Sequence, residues 1–338
     1  NIQAKSLKAA AFDGYSAAAV MHNRHTALNA VRDHLLMAVN YDGYQYRAQA
    51  PAYNVQPISA QNTSIPPIGS AVRAAWGNYI GRSTKYRSPA GGDWDIISDG
   101  FQAGTEIFRA ADCQIGTFFG YEGQKAERTA ATVDGEDFYF GFYGSHISCD
   151  GTDLRAVVNF GFQQFDINRS FNTINGGVDR YQSSVNGNSL ELNFEAGKSG
   201  WWGPWKLRLA GAVDVYGNRL ASAADNHNVR FGGSDYWQTF LRLGADFRYE
   251  WDRFVFNGKL YYMYDVCGDQ IHADLSGGNL SGTLSAPVPG RSVVQFSAGG
   301  AYHLCDTLSL FGSFTGDCAT DRGGAFQSTG QAGLAWKW

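Results

Sequence analysis

The sequence predicts an all-β transmembrane barrel, closed by twelve antiparallel strands, and three observations carry that reading. From Gly69 to Trp338 apolar residues recur with a period of two. Most of the alternating segments exceed the ~5–6 residues usual in soluble sheets and reach the ~9–11 that a tilted membrane-spanning strand needs. Their connections switch regularly between tight turns and longer loops, as a barrel with two unlike rims requires.

The alternating segments lie at about 69–82, 98–110, 113–124, 135–149, 153–166, 180–197, 204–216, 235–250, 253–266, 291–304, 307–318 and 325–338. In the seventh, Trp205, Leu207, Leu209, Val213 and Val215 share one face, and Lys206, Arg208 and Asp214 the other. In the eighth, Trp237, Leu241, Leu243 and Phe247 oppose Gln238, Arg242, Asp246 and Arg248. The last sets Phe326, Leu334, Trp336 and Trp338 against Gln327, Thr329, Gln331 and Lys337. Aromatics gather at strand ends (Trp205, Trp237, Tyr249, Tyr264, Trp336, Trp338), where an interfacial girdle belongs. Tight turns are expected at Ala111-Asp112, Asp150-Gly151-Thr152, Trp251-Asp252 and Cys305-Asp306, and longer loops at 83–97, 125–134, 167–179, 217–234 and 267–290, with 319–324 the shortest on that side. An even strand number puts both barrel ends on the tight-turn, periplasmic side.

Composition agrees. Glycine (42), tyrosine (18) and phenylalanine (22) are abundant, proline (8) is scarce and charged residues make up only 17%. Alternating lipid-facing and lumen-facing residues cancel in the average, so the slightly polar mean hydropathy is expected of a barrel. A net charge of −4 gives no ground for a nucleic-acid partner. No apolar run reaches the ~18–20 residues of a spanning helix. No basic segment followed by an apolar one opens the chain, so any signal peptide is expected to lie upstream or to have been removed, and the chain reads as the C-terminal part of a longer precursor.

Ahead of the strands, residues 1–39 read as a helical segment, with Ala9-Ala10-Ala11, Ala17-Ala18-Ala19, Ala27, Leu28, Val31, Leu35 and Leu36, broken at Asp13-Gly14 and capped anew at Ser16. Residues 40–68, with Pro51, Pro57, Pro66 and Pro67 among Ser, Asn and Gln, form a linker. From Ser16 to Val39 a helix would run ~36 Å at 1.5 Å per residue, enough to cross the ~30 Å hydrocarbon layer inside a pore. His22, Arg24, His25, Arg32 and His34 give it a polar surface suited to a wet lumen; His22 and His25 share a face but lack a third ligand.

No enzyme, cofactor or metal signature stands in the chain. Gly197-Lys198-Ser199 resembles the end of a phosphate loop, but Leu192 occupies the place of its first glycine. His146, His227, His272 and His303 adjoin no convincing serine motif, which weighs against an outer-membrane hydrolase. The charges expected to face the lumen are Glu106, Arg155, Glu191, Glu195, Arg208, Asp214, Arg242, Asp246, Arg248, Lys259 and Asp265. They suit solvated pore lining that pairs with the helix; the alternative is that some of the acids cut the segment ahead of the strands. Five cysteines sit at strand ends or turns, and in an oxidising compartment a Cys113–Cys149 disulfide across the third and fourth strands is expected, with Cys267–Cys318 a weaker pair and Cys305 left over.

In order and spacing, several short blocks resemble the C-terminal translocator β-domain of autotransporters (type V secretion). They are Val72-Arg73-Ala74-Ala75-Trp76-Gly77, Gly100-Phe101-Gln102-Ala103-Gly104-Thr105-Glu106, Phe138-Tyr139-Phe140-Gly141-Phe142-Tyr143-Gly144, Leu241-Arg242-Leu243-Gly244-Ala245, Leu260-Tyr261-Tyr262-Met263-Tyr264, Phe296-Ser297-Ala298-Gly299-Gly300, Leu308-Ser309-Leu310-Phe311 and Gly333-Leu334-Ala335-Trp336-Lys337-Trp338. The resemblance implies a monomeric outer-membrane barrel with the N-terminal helix in its lumen and an upstream passenger exported to the cell surface. It also implies a terminal signal, Trp338 with Trp336 and Leu334, read by the barrel-assembly machinery. The linker is long for the family and the cysteines numerous. A porin or channel with a plug helix is the competing reading.

Overall fold

The computed structural model describes Val31 and, in the barrel region, residues 74–87, 93–110, 112–128, 131–148, 150–172, 177–202, 205–226, 228, 230–267, 270–277, 280–287, 291–305, 307–320 and 326–338. Twelve strands close into one antiparallel barrel. In chain order they are β1 (Ala74–Arg87), β2 (Asp93–Arg109), β3 (Cys113–Arg128), β4 (Ala131–Ile147), β5 (Thr152–Asn172), β6 (Val178–Trp202), β7 (Trp205–Leu220), β10 (Ser234–Trp251), β11 (Phe254–Asp265), β14 (Ser292–His303), β15 (Leu308–Ala319) and β16 (Phe326–Lys337). Four shorter strands, β8 (Ala223–Ala224), β9 (Arg230–Phe231), β12 (Gln270–Gly277) and β13 (Leu280–Pro287), form a separate sheet above the long-loop rim. The ring closes where β16 pairs β1, from Ala74 opposite Lys337 to Lys85 opposite Phe326. The N-terminal helical segment 1–39, Val31 apart, and the linker 40–68 lie outside the described residues.

Several strands run further than the sequence predicts. β1 ends at Arg87 rather than 82, β2 begins at Asp93 rather than 98, and β6 covers 25 residues. At ~3.3 Å per residue and a ~40° tilt, β6 rises about 60 Å, twice the hydrocarbon thickness. The expected long loops 83–97, 125–134 and 167–179 therefore shrink, and the gap 129–130, not 319–324, is the shortest on that rim. The physical cause is that hairpins leaving the membrane keep the period of two while the polarity of their faces reverses, polar outside and apolar inside. The loops around 217–234 and 267–290 carry the extra sheet, which periodicity did not foretell.

The outward faces are apolar. Leu209, Leu241, Leu243, Leu260, Phe140, Phe160 and Phe194 are exposed around the middle, and Trp202, Trp205, Trp251, Trp336 and Trp338 crowd the tight-turn rim. That arrangement suits lipid tails and an interfacial belt. β2 departs from strict alternation. A bulge between Glu106 and Phe108 exposes both Ile107 and Phe108 and returns Arg109 to the Glu106 side. Arg109 then donates through Nη1 to both Glu106 carboxylate oxygens, at 2.9 and 3.0 Å.

The tight turns have local causes. At Ser148–Thr152, Gly151 takes φ 83°, a left-handed backbone that suits glycine. The Asp150 carboxylate accepts from the Thr152 N–H and hydroxyl and from the Ser148 hydroxyl, which hold its pKa well below the usual carboxylate range.

The high glycine content has a packing cause as well. Inward aromatics lie directly opposite inward glycines on the next strand: Tyr139 faces Gly120, Tyr143 faces Gly116, Phe118 faces Gly141 and Tyr261 faces Gly244. Each ring covers its glycine, and a Cβ on Gly120 would meet the Tyr139 ring at 2.3 Å. At Gly244 the obstacle is backbone, with the Leu260 carbonyl oxygen at 2.1 Å. Gly330, in contrast, has nothing within 4 Å. Gly244→Ala is expected to destabilise the barrel by about 1–3 kcal/mol, the usual cost of overpacking, and Gly330→Ala by far less. The temperature at which the compact gel band of the detergent-solubilised barrel converts to the unfolded one measures this; equal temperatures for the two variants would refute the packing argument.

Candidate functional site

The inward face of the barrel is where polar chemistry collects. All eleven charged residues that the sequence assigned to the lumen are buried, each under 9% exposed. Six of them meet in one network. Arg208 on β7 donates to Asp153 on β5 through Nε at 2.7 Å, and its Nη1 lies 2.7 Å from Asp246 on β10 and 2.6 Å from Glu195 on β6. Arg242 on β10 pairs with Glu195 and lies 3.5 Å from Asp214. Arg155 lies 3.3 Å from Asp153 and 3.7 Å from Glu195. Tyr261 on β11 donates to Asp246 at 2.8 Å, and its ring stands 4.5 Å from the Arg242 guanidinium carbon. Three arginines and four carboxylates thus cross-link four strands inside the wall, and Tyr261 adds a fifth.

The other five stand apart. Glu106 binds Arg109, Glu191 accepts from Asn159 at 3.1 Å, Arg248 pairs with Glu250 at 2.7 Å and Asp265 accepts from Gln238 at 3.1 Å. Lys259 is buried on β11, in register with Asp246 and Ser297. The sequence reading missed several functional neighbours. Asp153 shares the inward parity of Arg155 but sat at a predicted strand start. Arg82 sat at a predicted strand end, yet it binds Glu122 at 3.1 Å and donates to Ser98. At the long-loop rim Arg169 binds Asp225 at 3.2 Å and stands over the Phe231 ring, drawing the 221–233 loop onto the barrel. Nothing local in the sequence pairs Arg169 with a residue 56 positions away.

The wall is unequal around its circumference. β3 to β11 carry most of the buried charge, whereas β14, β15, β16 and β1 present mainly neutral polar groups such as Ser297, Thr315, Gln331 and Asn78. There Asn78 donates to Gln331 at 2.7 Å and Gln331 to Ser313 at 2.8 Å. The same inward face carries an apolar cluster of Trp76, Phe118, Tyr139, Tyr143, Val157, Tyr216, Phe240 and Met263, with Val31 buried among them. Chemically the network joins carboxylates to arginines and amides rather than to a nucleophile. Among the described residues no group of His, Cys, Asp or Glu could hold a metal ion.

Cys113 is a free thiol and its register partner is His146, not Cys149, which lies outside the described residues. The β3–β4 hairpin, paired from Arg128 opposite Ala131, carries its register down to Cys113 opposite His146. Cys267 and Cys318 are also free: Cys318 faces Val294 and Phe326, while Cys267 lies past the end of β11. Cys305 is exposed, its Sγ 3.4 Å from the Thr307 hydroxyl. Trp338, Trp336 and Leu334 are exposed on the outer face at the tight-turn rim, with the two indoles 5.4 Å apart.

Removing one partner from a buried ion network leaves charge uncompensated and costs about 3–5 kcal/mol. Arg208→Met is therefore expected to lower the unfolding temperature of the solubilised barrel sharply. Arg219→Met, from a pair with Asp235 that is largely exposed, should leave it nearly unchanged. Thermal melts followed by circular dichroism compare them; an unchanged Arg208→Met melt would show the network to be structurally idle.

The profile of the autotransporter beta-domain family matches residues 75–315. Among solved structures, the translocator domain of the autotransporter NalP from Neisseria meningitidis has a TM-score of 0.66 at 10% identity, over 90% of this chain and 98% of that one. The transport unit of the autotransporter AIDA-I from Escherichia coli gives 0.60 at 13% identity, over 88% and 99%. The β-domain of the Bordetella autotransporter BrkA gives 0.53 at 15%, over 79% and 100%. At such identities the structural likeness is one of fold. No curated protein sequence matches. The family match spans well over half of the residues and lies within the closed barrel, so the chain belongs to the autotransporter β-domain family and is an integral outer-membrane barrel.

Proposed function

We propose that this chain is the translocator of an autotransporter, anchoring an upstream passenger and exporting it to, or displaying it at, the cell surface. One observation carries the reading beyond family membership. The inward side chains of a twelve-strand ring are sealed from solvent almost throughout, including Asp214 at 0%, Arg242 at 1% and Gln238 at 1%. A lumen of this width is too large for wall side chains alone to fill. The burial therefore favours an occupied pore over the open channel of a porin. Val31, helical and fully buried within the apolar cluster, supports residues 1–39 as the occupant, with 40–68 leading back to β1 at the tight-turn rim.

On this reading the tight-turn rim faces the periplasm and the 221–233 and 266–291 loops face the medium. The barrel works as a monomer in outer-membrane lipid. Trp338, on the closing strand with Trp336 and Leu334, serves as the signal taken up by the assembly machinery. The domain itself performs no catalysis; the family is one of secretion.

Fusing a signal peptide and an epitope-tagged passenger ahead of Asn1 tests the function. The tag should become accessible to added protease on intact cells in step with barrel insertion. A tag that stays protected in the periplasm while the barrel is inserted would overturn the proposal. For topology, single cysteines in a background lacking the native ones should react with an impermeant thiol reagent on intact cells within 221–233 and 266–291, and not at Gly151 or Asp252. Equal labelling of both sets would contradict the orientation. Deleting Trp338 should reduce the inserted fraction and leave periplasmic aggregates or fragments; normal assembly of that variant would remove Trp338 from the signal.

A further inference from the structure

Above the charged network the polarity of the wall reverses. Trp94 on β2, Val133 on β4, Phe165 and Ile167 on β5, Val185 on β6 and Leu220 on β7 all point inward at the long-loop end, and none is more than 3% exposed. Their outward neighbours at this height are Asp95, Asp134, Asp166, Ser184 and Arg219, all exposed. In the membrane zone the same strands are apolar outside and polar inside. Beyond it they are polar outside and apolar inside, the pattern of a water-soluble core. Such a collar is stable only when apolar material covers it, because buried apolar area is what drives association in water.

Part of the cover is visible. The 221–233 loop brings Phe231 into the collar at 2% exposure, held by the Arg169–Asp225 ion pair. The collar is also one-sided. At the same end, β14, β15 and β16 offer Gln295, Asp317 and Gln327 inward, so an apolar occupant has reason to lie against β2 to β7.

We propose that Ala17–Met21 of this chain is that occupant, so that the N-terminal segment has an apolar docking site at the extracellular mouth in addition to its passage through the lumen. The inference rests on the placement of residues 1–39 in the pore proposed above. Chain length selects the segment. Val31 belongs to the cluster of Phe118, Tyr139, Val157, Tyr216 and Phe240. Measured along β4, β5 and β7, the collar begins four to eight residues beyond Tyr139, Val157 and Tyr216. At ~3.3 Å per residue and a ~40° strand tilt that is a rise of about 10–20 Å. A helix rising 1.5 Å per residue covers the distance in about 7–14 residues, which reaches from Val31 back to roughly residues 17–24. Within that window Ala17-Ala18-Ala19-Val20-Met21 is the uncharged apolar run, flanked by Ser16 and His22. Small side chains allow close approach to Phe165, Ile167 and Val185. The collar would act as a grip on the stalk between barrel and passenger.

The test uses the full chain in outer membranes, with the five native cysteines replaced by serine. Ala17→Cys, Ala18→Cys and Ala19→Cys, which together sample the turn of a helix, are each combined with Ile167→Cys or Val133→Cys and oxidised with copper phenanthroline. At least one combination should form an intramolecular disulfide, seen as a mobility shift reversed by reductant. The same three cysteines should give no bond with Val157→Cys, deep in the lumen. Val31→Cys with Val157→Cys or Met263→Cys reports on the lumen placement separately. If the Val31 pairs bond and the Ala17–Ala19 pairs do not, the collar proposal fails while the pore reading stands; if neither bonds, both fail. Bonding of the collar cysteines to Ile58→Cys would assign the collar to the linker and overturn the proposal. As a readout independent of cross-linking geometry, Ala18→Asp should raise the rate at which an impermeant thiol reagent reaches Ile167→Cys from outside by at least tenfold, and Ala4→Asp should not. An unchanged rate would likewise overturn it.

Discussion

Everything in this structure follows from the pairing of β1 with β16. In hydrocarbon no water is present to satisfy a backbone N–H or C=O, so a strand edge there is prohibitively costly. The twelve-residue register from Ala74–Lys337 to Lys85–Phe326 removes that edge. Closure in turn fixes an inside and an outside, and with them the period of two. It also creates the second problem the sequence solves: polar side chains turned away from lipid need partners of their own. The Arg155–Arg208–Arg242 network with its four carboxylates answers it on one side of the wall, and the glutamine, serine and threonine lattice around Gln331 on the other.

Closure at twelve strands also sets the lumen width, and function grows from that. A wider ring would be a channel and a narrower one would fill with its own side chains. Here the wall contributes a charged sector, a neutral sector, an apolar cluster around Val31 and an apolar collar above them. The loop pinned by Arg169 and Asp225 adds order at the outer mouth.

Much of this was legible in the sequence because the membrane imposes one repeated rule. All twelve barrel strands were located by alternation, and the inward parity of residues such as Arg208, Asp246 and Asp265 follows directly from it. Strand ends were less legible. Past the membrane the pattern Asp93-Trp94-Asp95-Ile96 still alternates, but with the apolar residues inside, so a search for lipid-facing apolar positions stops too early. The same blind spot hid the collar. The Glu106/Phe108 bulge shifts parity by one residue without any glycine or proline to announce it. Cross-strand register was out of reach, which is why Cys113 was matched with Cys149 when its partner is His146. Register depends on hairpin geometry, and the β3–β4 ladder is set where Arg128 pairs with Ala131, at the far end of both strands from Cys113.

The central claim is that the lumen is occupied by this chain's own N-terminal segment, which makes the barrel a translocator rather than a pore. Single-channel conductance in planar bilayers tests it directly, comparing the full chain with a variant lacking residues 1–40. The account expects the full chain to be nearly silent, with rare brief openings, and the truncated variant to show large stable currents. A full chain that conducts as freely as the truncated one would contradict it.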